Sequence, residues 1–148
     1  MYTERTSFLK TDYDEKIFDW ADVTTRLGDD DIVIRIVQCF LVDTPGRLEQ
    51  LSRAVHDKDS KNIETHSHSL KGAAATIGAS ALAEAAFALE SMVTRNDFTE
   101  AEAALGQIKE KFEELTALLS RPDWVEVVKR QEEQENSYDN EEPRQESD

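Results

Sequence analysis

Apolar residues recur every three or four positions through most of the chain, and this spacing predicts helices. The clearest pattern follows Asp97 and Glu100, which together form a capping box. The apolar positions behind it form a heptad-like seam made of Phe98, Ala101, Leu105, Ile108, Phe112, Leu115 and Leu119. We therefore expect a helix from about Asp97 to Leu119 that packs in a bundle.

Two more helices are predicted in the middle of the chain, with Gly78 between them. The first extends from Ser60 to about Ile77. The second begins at Ser80, whose hydroxyl can cap it, and is broken by Arg95-Asn96-Asp97. Its apolar stripe consists of Leu82, Ala85, Ala86, Leu89 and Val93. With so short a connection, the two helices should lie antiparallel.

The first third of the chain contains three further helical patterns. Thr44-Pro45 predicts a helix start, because the missing N–H of proline costs nothing at the first helical position; this helix should end at the polar turn 56–60. Upstream we expect two shorter helices, from Asp19 to Gly28 and from the Asp29-Asp30-Asp31 run to about Val42. The β-branched run 32–34 could also form a strand, but nothing else in the chain would pair with it.

These patterns predict an all-α fold: an up-and-down antiparallel four-helix bundle, with one or two short N-terminal helices covering one end. Residues 1–16 have few periodic apolar positions and should be flexible, and the bundle should occupy residues 17–120. A short helix is predicted within 121–130. Residues 131–148 are polar and acidic and should form a disordered tail.

Charge and cysteine content narrow the class of protein. The formal charge is −15, and nearly half of the excess lies beyond residue 130. Such a chain repels nucleic acid and anionic membrane surfaces, so protein partners are expected. Cys39 is the only cysteine and lies in an apolar helical pattern, which predicts a buried small side chain in a reducing compartment. The sequence shows neither a signal peptide nor an apolar span, so we expect a cytoplasmic protein. We also expect it to be a monomer.

The segment His68-Ser69-Leu70-Lys71-Gly72 contains the candidate chemistry. At 100° per residue, a buried stripe of Ile63, Leu70, Ala74 and Ile77 leaves His68 about 140° away, facing outward. A neutral imidazole keeps the ring lone pair that an attack on phosphorus requires. Lys71, at i+3, can stabilise phosphoryl oxygens, and Gly72 and Ala75 leave space for an approaching partner. We therefore interpret His68 as a phosphoryl acceptor.

Hairpin geometry adds a residue distant in sequence. If the turn lies near Gly78-Ala79, residues whose numbers sum to about 157 share a height, which places Glu90 beside His68. Its carboxylate could accept a hydrogen bond from Nδ1–H and leave Nε2 as the nucleophile. Lys61, Glu64 and Thr65 share the outer face of the motif helix and are candidate partner-docking residues.

His66 is the obvious rival to His68. It lies closer to the buried stripe, and its i+3 and i+4 neighbours are Ser69 and Leu70, so we expect a partly buried structural histidine. The two rings diverge by about 200° on a helix and cannot chelate one ion, so no metal site is predicted.

The motif, with Gly78 ten residues after the histidine, closely resembles that of the histidine-containing phosphotransfer (HPt) domains of multistep phosphorelays. The resemblance covers roughly residues 18–119. It implies a non-catalytic bundle in which His68 accepts a phosphoryl group from a receiver-domain aspartate, of a hybrid sensor kinase or a response regulator, and passes it to another. It also implies that Lys71 stabilises the phosphoryl group, that Gly72 gives clearance, and that magnesium belongs to the receiver.

An alternative from another class is a helical adaptor that binds a partner through the same face without chemistry. Family members often have Gln or another polar residue where Glu90 stands, and a negative charge there would orient the ring yet repel a phosphoryl group. The chain contains no glycine-rich nucleotide loop, so kinase activity of its own is not expected.

Overall fold

The computed structural model describes the backbone of residues 16–146 and the side chains of residues 16–135. This part of the chain is helical and contains no strand, in agreement with the predicted all-α class. We number its helices α1 (Trp20–Leu27), α2 (Asp30–His56), α3 (Ser60–Thr76), α4 (Ser80–Thr94), α5 (Ala101–Leu119) and α6 (Trp124–Glu146). None of these helices combines the length and apolarity that crossing a membrane requires.

Helices α2 to α5 form the bundle, and their apolar stripes meet in one core. The side chains of Leu51, Ile63, Leu70, Leu89 and Ile108 are fully buried at its centre. Sequential helices are neighbours, as short connections require, and α5 closes the bundle against α2. The predicted up-and-down four-helix bundle is confirmed.

The prediction of separate helices before and after Thr44-Pro45 is wrong. One helix, α2, runs without interruption from Asp30 to His56 with Pro45 inside it. An internal proline costs about 3 kcal/mol because it removes one backbone hydrogen bond. Here Phe40, Thr44 and Leu48 are buried on one face on both sides of the proline, and their packing offsets that cost. Among residues 16–146, α1 is therefore the one short helix that precedes the bundle.

Two predicted caps also differ from the structure. Asp97 does not begin α5: its Oδ1 accepts a bond from the Thr99 amide in a turn, and α5 starts at Ala101 without a side-chain cap. Ser80 is the first residue of α4 rather than its cap, and Ala79 holds the cap position without a side-chain bond. By contrast, α1 begins where the sequence predicts, and Asp19 caps it by accepting from the Asp22 amide.

The C-terminal part of the chain differs most from the prediction. Instead of a short helix within 121–130 and a disordered tail, α6 extends from Trp124 to Glu146. Its first turns are held by buried Trp124 and Val128, and the Glu-, Gln- and Arg-rich sequence that follows has high helix propensity. Residues 147–148 and, except for Lys16, the predicted flexible segment 1–16 lie outside the described residues.

Cys39 is exposed, so the prediction of a buried cysteine is wrong. It lies two residues beyond buried Val37 and one before buried Phe40, on the solvent side of α2. The apolar pattern in this part of α2 is wide enough to include exposed positions, and Ile32 and Val42 are exposed as well.

Helix α1 holds the C-terminal end of α3. The Asp19 amide donates to the Gly78 carbonyl at 2.8 Å, and the Arg26 guanidinium donates to the carbonyls of Ala75 and Thr76, each at 2.7 Å. These contacts occupy carbonyls that the end of a helix leaves without partners. Helix α6 in turn supports α1, because the Glu132 carboxylate accepts from the Ala21 amide. The helix that carries the motif is thereby fixed at its end.

Candidate functional site

The sequence of α3 buries one stripe and exposes the candidate chemistry on the other side. Ile63, Leu70 and Ala74 are fully buried, and Ile77 is buried just beyond the helix end, as the helical wheel predicts. Ser67 is also buried, which the wheel did not identify. Its hydroxyl donates to the Ile63 carbonyl at 2.7 Å, so a serine is accommodated in the core without an unpaired polar group.

His68 points away from the core, with its side chain 66% exposed. Its Nδ1 lies 2.8 Å from Oε2 of Glu90 on α4, the contact that the hairpin arithmetic predicts. Since a carboxylate can only accept, Nδ1 carries the proton. In a neutral ring the lone pair is then on Nε2, and no other hydrogen bond to this ring occurs among the described residues.

Glu90 is shared between His68 and Lys71. The Lys71 ammonium lies 2.9 Å from Oε1 of Glu90 and forms an ion pair with it. The Glu90 side chain is only 15% exposed. Burial alone would raise the pKa of this carboxyl group, but the Lys71 ammonium and the His68 ring outweigh that effect and hold the pKa below its usual value. The site therefore consists of an ionised Glu90 that contacts His68 through one oxygen and Lys71 through the other.

This arrangement changes the interpretation of Glu90. A lone carboxylate would repel a phosphoryl group on the adjacent ring, whereas a carboxylate paired with Lys71 has its charge compensated. Glu90 can accept a hydrogen bond from Nδ1–H at little electrostatic cost to an anion on Nε2. The Lys71 ammonium is a compact charge on a flexible four-carbon stem and can turn toward a new anion.

The outer face of α3 around His68 is open. Gly72 and Ala75 are exposed, and a Cβ placed on Gly72 would meet no atom within 4 Å. Lys61, Glu64 and Thr65 are exposed on the same helix. The structure thus places all the predicted face residues at the surface beside His68, and their assignment to clearance and docking stays a prediction.

His66 differs from His68 in its surroundings. It is partly buried, and its Nδ1 is buried without a hydrogen-bond partner in the described part of the chain. A ring in that position offers less access to a second protein than the ring of His68. The geometry agrees with the structural part predicted for His66.

Phe87 belongs to the surroundings of the site, although its sequence pattern did not identify it. Its ring is 48% exposed on α4, and the Lys71 ammonium lies 5.0 Å from the ring centroid. Such a cation–π contact contributes about 0.5–1 kcal/mol at an exposed site. The hairpin register could have found it, because the numbers of Phe87 and Lys71 also sum to nearly 157.

Comparisons with known proteins agree with this geometry. A family model described as Hpt domain matches residues 35–120, more than half of the chain. The crystal structure of histidine-containing phosphotransfer protein B (HptB) from Pseudomonas aeruginosa PAO1 superposes with a TM-score of 0.64 at 24% identity, over 70% of this chain and 91% of that one. No curated protein matches the chain. The similarity to HptB supports the bundle fold, and the family match shows that the chain belongs to the Hpt domain family of phosphocarriers, the intermediates of phosphorelays.

Proposed function

We propose that His68 accepts a phosphoryl group from the aspartate of one receiver domain and passes it to the aspartate of another. The observation that carries this proposal is the pairing of exposed His68 with Glu90, which puts the proton on Nδ1 and directs Nε2 to solvent. A nucleophile with a fixed tautomer and an open approach is what in-line attack on phosphorus needs.

In the accepting step, the Nε2 lone pair forms a bond to phosphorus. The bond between phosphorus and the aspartyl oxygen breaks, and its electron pair stays on the receiver carboxylate. The ring keeps its Nδ1 proton and becomes cationic, so the Glu90 carboxylate stabilises the charge it gains. In the donating step an aspartate oxygen of the second receiver forms the bond to phosphorus, the bond between phosphorus and Nε2 breaks, and its electron pair returns to Nε2, which leaves the ring neutral.

Lys71 would turn from Glu90 toward the new phosphoryl oxygens. Its ammonium starts 2.9 Å from Oε1 of Glu90, beside the accepting ring, and its side chain is 31% exposed. A dianionic phosphoryl group attracts an ammonium more strongly than a shared carboxylate does. Gly72 and Ala75 would admit the receiver surface, and magnesium would remain a requirement of the receiver.

The proposal is tested by labelling. Receivers from the same organism are phosphorylated by a small phosphodonor with magnesium and mixed with the chain. We expect an acid-labile, base-stable phosphate on the wild type, its loss in His68→Gln, and its retention in His66→Gln. Label that persists in His68→Gln, or a wild type that no receiver labels, contradicts the proposal; binding without labelling would favour the adaptor.

A further inference from the structure

An open groove of about 300 Å³ lies beside the phosphoryl site and follows the outer face of α4. Along α4 it extends from the ring of Phe87, past Glu90 with Lys71 of α3 beside it, to Arg95 just beyond the last turn of the helix. Ser91 and Thr94 complete its lining. Because Glu90 also holds His68, any protein bound over the histidine lies beside this groove.

The groove exposes a large apolar side chain in the position where a partner would cover it. Phe87 is one of the few large apolar residues that are exposed among the described residues, and the other two, Ile32 and Val42, lie on α2. The Lys71 ammonium lies over the Phe87 ring, 5.0 Å from its centroid, and this cation–π contact favours the observed position of the ring. A ring held in place loses little conformational freedom on binding, which favours it as an interface anchor.

The charge of the groove is opposite to that of the chain. The chain carries a formal charge of −15, yet the groove contains two cations and one carboxylate, and that carboxylate is paired with Lys71. In the described part of the chain Arg95 makes no ion pair within 4 Å. A partner that presents an aspartyl phosphate is anionic by its chemistry and is therefore complementary to this surface.

We infer that the groove from Phe87 to Arg95 is a specificity surface for the receiver, which inserts an apolar side chain against Phe87 and a carboxylate toward Arg95. This inference rests on the proposed function, since the occupant is the receiver that exchanges the phosphoryl group with His68. It assigns selection among receivers to α4, whereas the phosphoryl chemistry belongs to His68, Lys71 and Glu90.

Binding and transfer are measured separately to test it. Receivers are titrated against Phe87→Ala and Arg95→Glu by calorimetry, and the second-order rate of transfer from the phosphorylated receiver is recorded. We expect both variants to weaken binding and slow transfer at least tenfold. Labelling of His68 by a small phosphodonor alone should stay within about twofold of the wild type, because neither side chain contacts the His68 ring and Lys71 keeps its pairing with Glu90 when the Phe87 ring is removed.

Matched controls lie elsewhere on the bundle. Val42→Ala removes an exposed apolar side chain from α2, and Lys109→Glu reverses an exposed charge on α5. Both should bind receivers as the wild type does. Wild-type binding by Phe87→Ala and Arg95→Glu overturns the inference, as does a change in the oligomeric state of the chain that accounts for the loss.

The two proposals fail differently. If a receiver binds through the groove but never labels His68, the proposed phosphocarrier function is contradicted, whereas the assignment of the groove to receiver binding is supported. If a receiver labels His68 equally in the wild type and in both groove variants, the assignment of the groove is contradicted and the proposed phosphocarrier function is supported. If no receiver binds the wild type, both are overturned.

Discussion

The carboxylate of Glu90 lies 2.8 Å from Nδ1 of His68, although 22 residues separate them in the sequence. The hairpin between α3 and α4 creates this contact, and the ion pair with Lys71 makes it compatible with a phosphoryl group. We therefore propose that Glu90 is a positioning residue, which contacts the ring nitrogen opposite the one proposed to react.

Replacement of Glu90 should separate its geometry from its charge. Glu90→Ala leaves the ring without an acceptor for Nδ1–H, and we expect phosphorylation of His68 by a small phosphodonor to slow by roughly 10- to 100-fold. Glu90→Gln keeps a carbonyl acceptor at the same place and should recover most of that rate. Nitrogen NMR of the His68 ring should show mixed tautomers in the alanine variant only; unchanged tautomers and rates there would contradict the assignment.

The lowered pKa of Glu90 predicts a pH-dependent contribution to stability. Folding favours the carboxylate, so the contribution is complete above the usual value of 4.5 and is lost as the pH falls through the lower folded value. Denaturant unfolding should find the wild type more stable than Glu90→Gln at about pH 6, with the difference shrinking as the pH is lowered below 4.5. The exposed Glu64→Gln change on α3 is the control, and a difference that grows on acidification would contradict the prediction.

The spacing of α3 and α4 determines the site, which is why both helices and the His68–Glu90 contact could be predicted. Each helix has one apolar stripe and a short connection, so the register of the hairpin follows from the residue numbers. The partner of Lys71 was not predicted, because its flexible side chain can reach Glu90 or solvent from the same backbone position.

Long-range packing explains the predictions that failed. Thr44-Pro45 has the local signature of a helix start, but the buried residues on either side of it share one face and continue the helix. Asp97 has the signature of a capping box, but its carboxylate closes a turn instead. A local sequence pattern does not show how much apolar surface a tertiary contact will bury. In α2 that burial favours one continuous helix through Pro45.

We expect Pro45 to lower the free energy of unfolding, although α2 still forms around it. It is exposed, and its nitrogen cannot donate to the carbonyl four residues earlier. Pro45→Ala restores that bond and should raise the free energy of unfolding by about 1–3 kcal/mol, as measured by urea denaturation. The neighbouring Gly46→Ala, also in an exposed helical position with no atom within 4 Å of a new Cβ, should add at most about 1 kcal/mol. A loss of stability in Pro45→Ala would contradict this prediction and show that the proline stabilises α2.

Gly78 should be indispensable for the contact between α1 and the end of α3. Its φ is +78°, and a Cβ there would lie 2.8 Å from the Asp19 carbonyl oxygen. Gly78→Ala should lower the free energy of unfolding by more than about 2 kcal/mol, because conformational strain and the clash add. Gly28, with a φ of +86° and no atom within 4 Å of a new Cβ, is the matched control. Gly28→Ala should cost only the backbone strain of a positive φ, and equal losses in the two variants would contradict the role of the clash.

Gly72 should be retained for access rather than for stability. A side chain there meets no atom of the chain, and most residues stabilise a helix interior by up to about 1 kcal/mol relative to glycine. Gly72→Gln should therefore raise the melting temperature, leave labelling of His68 by a small phosphodonor unchanged, and slow transfer from a phosphorylated receiver at least tenfold. Gly106 on α5 is an exposed helical glycine with the same free space, and Gly106→Gln should raise stability without slowing transfer. Equal transfer rates in the two variants would place the receiver away from Gly72, because only a protein seated on that face of α3 could distinguish them.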